Sequence, residues 1–240
     1  MHNTWLFIPS LFTVLNLLLG FLSILMSVGG SYELAAWFIN FAVLCDGMDG
    51  KLARWTQSET AYGYELDSLA DIVSFGVAPA ILIGSAYRSG LGWIGILFSF
   101  LFLFAGAFRL VRFNVQSAGD RSEGYQGLPI PIAAMIVASL VLFRFQTLLV
   151  FHETVWLFIL LSLSVLMVSQ IRYQWPQLIF DGSLKEKFTS LLICLAVLLM
   201  ALLPRDLLFP FLVFYALKGI VIALIAQLQK WHVLPVHLNR

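Results

Sequence analysis

Six of the chain's thirteen acidic residues fall in one short stretch: Asp46, Asp49, Glu59, Glu65, Asp67 and Asp71. The four aspartates lie in segments otherwise apolar enough to cross a membrane. A carboxylate there is expensive and marks a functional site by default. Asp46 and Asp49 are three apart and share one helix face; Asp67 and Asp71 are four apart and share a face of the next helix. Gly50 and Ala53 continue the first face. Four carboxylates on two neighbouring helices need compensation, which one or two divalent cations would supply. All-oxygen ligands suit Mg²⁺, Mn²⁺ or Ca²⁺ rather than Zn²⁺. Gly50, Ala53 and Gly63 leave room for a bulky group to approach the backbone, and Arg54 offers a planar donor fork for phosphate. Metal, phosphate and a carboxylate base together point to phosphoryl or phosphatidyl transfer. The competing reading makes these acids helix caps and interhelical salt bridges; it fits a single aspartate better than four at this spacing.

The elements that carry these residues are membrane spans. Of 240 residues, 60% are hydrophobic and 11% charged, and the mean hydropathy is +0.92. A soluble domain has about 45–50% apolar and about 25% charged residues, and disorder requires low hydrophobicity. Both classes are excluded. A net charge of +1 carries no signature for nucleic acid. The expected fold is an all-α polytopic membrane helix bundle of about eight transmembrane helices, near 6–28, 34–54, 63–86, 91–114, 128–148, 154–171, 187–203 and 207–229. Cys45 and Cys194 have no metal-site spacing, and His2, His152, His232 and His237 form no cluster. The opening stretch lacks a basic region and does not read as a signal peptide.

Lysine and arginine placement sets the expected orientation. With the N-terminus inside, Lys51, Arg54, Arg109, Arg112, Arg121, Arg172, Lys185, Lys187, Lys230 and Arg240 fall inside, against Arg88, Arg144 and Arg205 outside. Both termini are then cytoplasmic and the acids lie near the cytoplasmic face.

The segment reads Asp46-x2-Asp49-Gly50-x2-Ala53-Arg54-x8-Gly63-x3-Asp67-x3-Asp71. It resembles the full signature of the CDP-alcohol phosphatidyltransferase family, with no departure at its eight fixed positions. Within that family the chain is most similar to the bacterial and archaeal CDP-diacylglycerol–serine O-phosphatidyltransferases. Three stretches carry this: Glu65 to Asp71 running on to Ser74-Phe75-Gly76-Val77-Ala78-Pro79-Ala80; Arg109-Leu110-Val111-Arg112-Phe113-Asn114 with Gly127-Leu128-Pro129-Ile130-Pro131; and Pro9-Ser10 with Thr13, Asn16 and Gly20.

The resemblance implies a membrane enzyme of the cytoplasmic membrane that moves the phosphatidyl group of CDP-diacylglycerol to L-serine, releasing CMP. It implies a homodimer, Mg²⁺ or Mn²⁺ (two ions per site), and a six-helix core over residues 1–171. Residues 172–240 then form a cytoplasmic loop and two further spans. Asp46, Asp49, Asp67 and Asp71 are implied as metal ligands, Asp71 also as the general base. Gly50, Ala53, Arg54, Thr60 and Gly63 are implied to surround the cytidine diphosphate.

Arg109, Arg112 and Asn114 read either as a pocket for the serine carboxylate and lipid phosphate or as residues at headgroup level, the arginines snorkelling. Asn16 faces either the site cavity, binding the acceptor, or another helix. Lys218 reads as a snorkelling charge or one with a partner in the bundle, rather than a catalytic group. With no histidine near the acids, direct displacement is expected over a covalent intermediate. Rival readings are the same transfer to glycerol 3-phosphate, inositol phosphate or choline, the same transfer from an ether-lipid donor, and a divalent-cation transporter.

Overall fold

The computed structural model describes residues 7–56, 60–86, 88–117, 126–146, 153–171, 173 and 204–232. The described residues are helical, with no strand among them. In chain order the helices are α1 (Phe7–Val28), α2 (Tyr32–Thr56), α3 (Ala61–Asp71), a π-helical turn (Ile72–Val77), α4 (Ala78–Ala86), α5 (Arg88–Ser117), α6 (Ile130–Gln146), α7 (Glu153–Val168) and α8 (Pro204–His232). Three stretches are apolar and long enough to cross a membrane: Leu11–Val28, Tyr62–Ala86 and Gly92–Gln116. Ile130–Phe143 and Thr154–Val168 are shorter apolar helices. The expected span at 187–203 lies outside the described residues.

α1 ends as its sequence dictates. Gly30 takes a φ of +81°, which costs glycine nothing. Ser31 N donates to Met26 O at 2.8 Å and Gly30 N to Ser27 O at 3.3 Å, the paired bonds of a Schellman stop. The chain reverses and α2 runs back along α1. Ser23 Oγ donates to Ala35 O across the hairpin at 2.9 Å.

The third rod contains the π turn. In an α-helix the Pro79 ring would press on the carbonyl four residues back; the wider winding relieves this, and Ala78 N donates to Val73 O instead. The turn follows immediately on Asp71, and Ser74, Phe75 and Gly76 within it are buried. It packs against α1, where Gly20 admits it: a Cβ on Gly20 would stand 2.7 Å from Ser74 Cα.

α6 is apolar around its circumference and is the core of the bundle. Ile130, Ala133, Ile136, Val137, Leu140 and Leu142 are all essentially inaccessible. α8 packs on α6, and its first turn is tied to α2 by the Arg205–Glu33 ion pair. Large apolar side chains on the outer faces, among them Phe21, Phe100, Phe104, Phe158 and Phe214, are exposed. In a chain with this hydropathy that exterior is a lipid-facing surface.

Gly20→Ala should lower stability by about 1–3 kcal/mol, the range for overpacking a filled interior. Thermal melting in detergent measures it, and an unchanged midpoint would show that the π turn does not need this close approach.

Candidate active site

The acids converge where α1, α2, α3 and α5 meet. One carboxylate oxygen from each of Asp46, Asp49 and Asp67 lies within 4.8 Å of the other two. Asp46 and Asp49 come from the last turns of α2, Asp67 from the middle of α3. Asp49 is only 4% exposed, and Asp67 Oδ1 is buried with no hydrogen-bond partner among the described residues. Three carboxylates, one of them with an orphaned buried oxygen, form an all-oxygen donor set. It suits a hard divalent cation and is costly without one.

Asp71 stands beside this trio rather than in it. It is 9% exposed, lies within hydrogen-bond reach of Asp46, and is close enough to feel the charge of all three other aspartates. Arg109, one turn above Arg112 on α5, is buried, acts electrostatically on Asp46, and rests its guanidinium over the Phe113 ring at 5.7 Å. Cation and acids thus face one another in the interior.

α1 supplies two direct contacts. Thr13 Oγ1 donates to Asp49 Oδ2 at 3.0 Å, and Asn16 Nδ2 donates to Asp71 Oδ1 at 3.3 Å. Residues three apart share a helix face, so one stripe of α1 reaches both acidic helices. On α2, a Cβ added to Gly47 or Gly50 would meet nothing within 4 Å; the small residues leave open space beside the acids. Ala53 and Arg54 belong to the same helix, and their side chains lie outside the described residues.

Other residues singled out from the sequence have structural partners. Thr60 is the N-cap of α3, its Oγ1 accepting from Gly63 N at 3.0 Å as such caps do. Gly63 sits tight against that hydroxyl, where an added Cβ would be 3.1 Å from it. Asn114 joins α5 to α3: its Oδ1 accepts from Tyr64 OH at 2.8 Å and its Nδ2 donates to Ser68 Oγ at 3.0 Å. Arg112 donates to four carbonyls, Nη1 to Val168 O and Nη2 to Gln126, Met167 and Ser169 O, at 2.7–3.1 Å. It closes the C-terminal end of α7. Gly127 is part of the same knot, at a φ of +80°, with its N–H on Ile171 O.

Sequence reasoning missed the Thr13–Asp49 bond, the Tyr64–Asn114–Ser68 bridge and the π turn. Thr13 and Asn16 were visible as polar residues on one face of an apolar helix. Tyr64 gave no signal.

A family model described as CDP-alcohol phosphatidyltransferase matches residues 6–168. A Helicobacter pylori protein named CDP-diacylglycerol–serine O-phosphatidyltransferase is 34% identical over 218 residues, 89% of this chain and 89% of that one. A Methanothermobacter thermautotrophicus protein named archaetidylserine synthase is 41% identical over 173 residues, 71% of each chain. A Bacillus subtilis protein named CDP-diacylglycerol–serine O-phosphatidyltransferase is 34% identical over 167 residues, 70% of this chain and 89% of that one.

Arg112→Met removes every donor to the four carbonyls and keeps much of the apolar stem. It should lower stability by at least about 1.5–3 kcal/mol, the value of a hydrogen-bonded charged donor. Arg112→Lys should restore only part, because an ammonium lacks the planar fork. Thermal melting of both variants checks this; a wild-type midpoint for Arg112→Met would remove its capping role.

Proposed function

The chain belongs to the CDP-alcohol phosphatidyltransferase family, and on that premise we propose that it transfers the phosphatidyl group of CDP-diacylglycerol to the hydroxyl of L-serine, giving phosphatidylserine and CMP. The observation that carries the reading is the convergence of the half-buried Asp46 and Asp67 with the buried Asp49, and the buried Asp71 beside them. It is formed by the motif of a family whose relatives above are named for transfer to serine or for archaetidylserine synthesis.

Asp46, Asp49 and Asp67 would hold divalent metal, with Asp71, the fourth ligand that the resemblance implies, at the edge of the set. Bound there, Mg²⁺ or Mn²⁺, as two ions in the fuller form of the proposal, supplies neutralisation of the pyrophosphate charge. The reaction is a direct displacement. The serine oxygen–phosphorus bond forms, the phosphorus–oxygen bond to CMP breaks, and the hydroxyl proton passes to Asp71. A buried carboxylate beside the trio, oriented by Asn16, suits that role. Gly50 keeps the α2 face open beside the acids, and Gly50, Ala53, Arg54, Thr60 and Gly63 are proposed to surround the cytidine diphosphate, the Arg54 guanidinium suiting its phosphates. Arg109, buried beside Asp46, is the residue proposed to meet the serine carboxylate. Asn16, Arg112 and Asn114, the other candidates for acceptor binding, enter the proposal through the partners described above.

The protein is an integral membrane protein of eight spans in this proposal, a homodimer in the cytoplasmic membrane with both termini and the site on the cytoplasmic side. Residues 1–171 form the core and 172–240 the loop and two added spans. α7 ends at the acidic end of the bundle, beside Arg112, whereas α8 begins at the opposite end, paired with Glu33. The similarity to an archaetidylserine synthase favours one second reading: the same transfer from a CDP-linked ether lipid.

The test is CMP release by purified protein in detergent with CDP-diacylglycerol and Mn²⁺. L-serine, glycerol 3-phosphate, inositol phosphate and choline are compared, and a CDP-linked ether lipid replaces the donor in a parallel series. Release with serine alone is expected. Asp71→Asn should reduce it by about 10²–10⁴-fold, the contribution of a positioned general base. Release with a different acceptor would overturn serine and keep the transfer; no CMP release with any acceptor, together with metal flux in proteoliposomes, would replace the enzyme with a transporter.

A further inference from the structure

We propose that Thr13 and Asn16 are positioning residues of the transfer site: Thr13 fixes the orientation of Asp49 and Asn16 that of Asp71, so that one stripe of α1 sets the geometry of both metal ligation and proton acceptance. The inference rests on the reaction proposed above and assigns α1 a task within it.

A carboxylate on a helix can roll about its χ2 torsion at small cost. Asp49 is held against that by the Thr13 hydroxyl at 3.0 Å, and Asp71 by the Asn16 amide at 3.3 Å. Both donors are themselves immobilised. Thr13 is 5% exposed and Asn16 fully buried. The Asn16 backbone carbonyl accepts from Ser74 Oγ at 2.9 Å, and Gly20, one turn on, lets the π turn seat against α1. Asp71 is the residue from which that turn departs. The contact that orients the acid and the contact that fixes its backbone therefore come from the same face of the same helix.

The other half of the Asn16 amide sharpens the assignment. Its Oδ1 is buried with no hydrogen-bond partner among the described residues. A buried unsatisfied acceptor costs about 1–3 kcal/mol, so packing alone gives asparagine no advantage over an apolar residue there. Its donor half has a partner, and that partner is Asp71. A residue that instead bound the acceptor would need a face open to it, and Asn16 has none.

The two residues act on different steps. Orienting partners of metal ligands tune affinity by about 10–100-fold, whereas a misplaced proton acceptor slows the chemical step. Mn²⁺ binding to the purified protein is measured by electron paramagnetic resonance titration, and CMP release gives kcat and KM. Thr13→Val should weaken Mn²⁺ binding by about 10–100-fold, and Thr13→Ser, which keeps the hydroxyl, should stay within about threefold of wild type. Asn16→Leu, alike in branching though larger, should lower kcat by about 10²-fold with Mn²⁺ affinity and the KM for serine nearly unchanged; Asn16→Ala is the second variant should leucine impair folding, which thermal melting reports.

Wild-type Mn²⁺ affinity in Thr13→Val would overturn the assignment of Thr13. An unchanged kcat in Asn16→Leu, or a loss appearing chiefly as a higher KM for serine, would overturn that of Asn16. A wild-type protein that binds Mn²⁺ yet releases no CMP with any acceptor would overturn the reaction and the Asn16 assignment with it, while Thr13 would still stand or fall on Mn²⁺ affinity alone. A wild-type protein that binds no Mn²⁺ would overturn both assignments.

Discussion

Concentrating four carboxylates inside an apolar bundle is the constraint from which the rest of the architecture follows. In a medium that solvates charge poorly, each aspartate needs a partner that faces it, and each partner needs a helix rigid enough to keep it there. α2 and α3 carry the acids, α1 brings a hydroxyl and an amide, and α5 brings Arg109. No two helices supply these partners alone. The four-way junction is thus an electrostatic requirement before it is a packing arrangement.

Close approach is the second requirement, and it explains the small residues. Hydrogen bonds of about 3 Å between side chains of neighbouring helices demand backbones nearer than leucine permits. Gly20 grants this on α1, much as small residues do at helix contacts in membranes generally. The π turn meets it from the other side. By adding a residue to one turn it changes the register of α4 relative to α3, so that Asp71 stays with the acids while Ser74 reaches back to Asn16. Pro79, which would obstruct a regular helix here, makes the wider turn the lower-strain solution.

Much of this was legible in the sequence, and for identifiable reasons. Seven of the eight expected spans correspond to helices among the described residues, because twenty apolar residues bounded by Gly-Gly-Ser or Pro-Arg-Asp leave little alternative. The acidic trio was legible because its spacing matches the helix period. Thr60 and Asn114 show how a side chain read by type as a ligand contact also answers a structural demand. A polar residue near an acidic motif looks like a ligand contact, but the orphan amides of a helix start and the gap between two helices compete for the same side chain. Arg112 is the sharpest instance: a guanidinium suits a carboxylate or phosphate, yet four converging carbonyls at the end of α7 suit it as well. Which demand prevails depends on where α7 ends relative to α5, a tertiary fact that no local pattern encodes.

The division between rigid and open parts follows the same logic. α6 is buried on almost every side and α7 is locked by Arg112, so the half of the bundle behind the acids is a solid backing. The α2 face that carries Gly47 and Gly50 is the opposite, with space where a side chain would stand. Preorganised catalysis needs both. The acids must not relax when a bulky, charged headgroup arrives, and the headgroup must reach them without prying helices apart. Placing the small residues on the same helix as two of the carboxylates meets both conditions. The backbone that is fixed by Thr13 through Asp49 is also the backbone that leaves the open space.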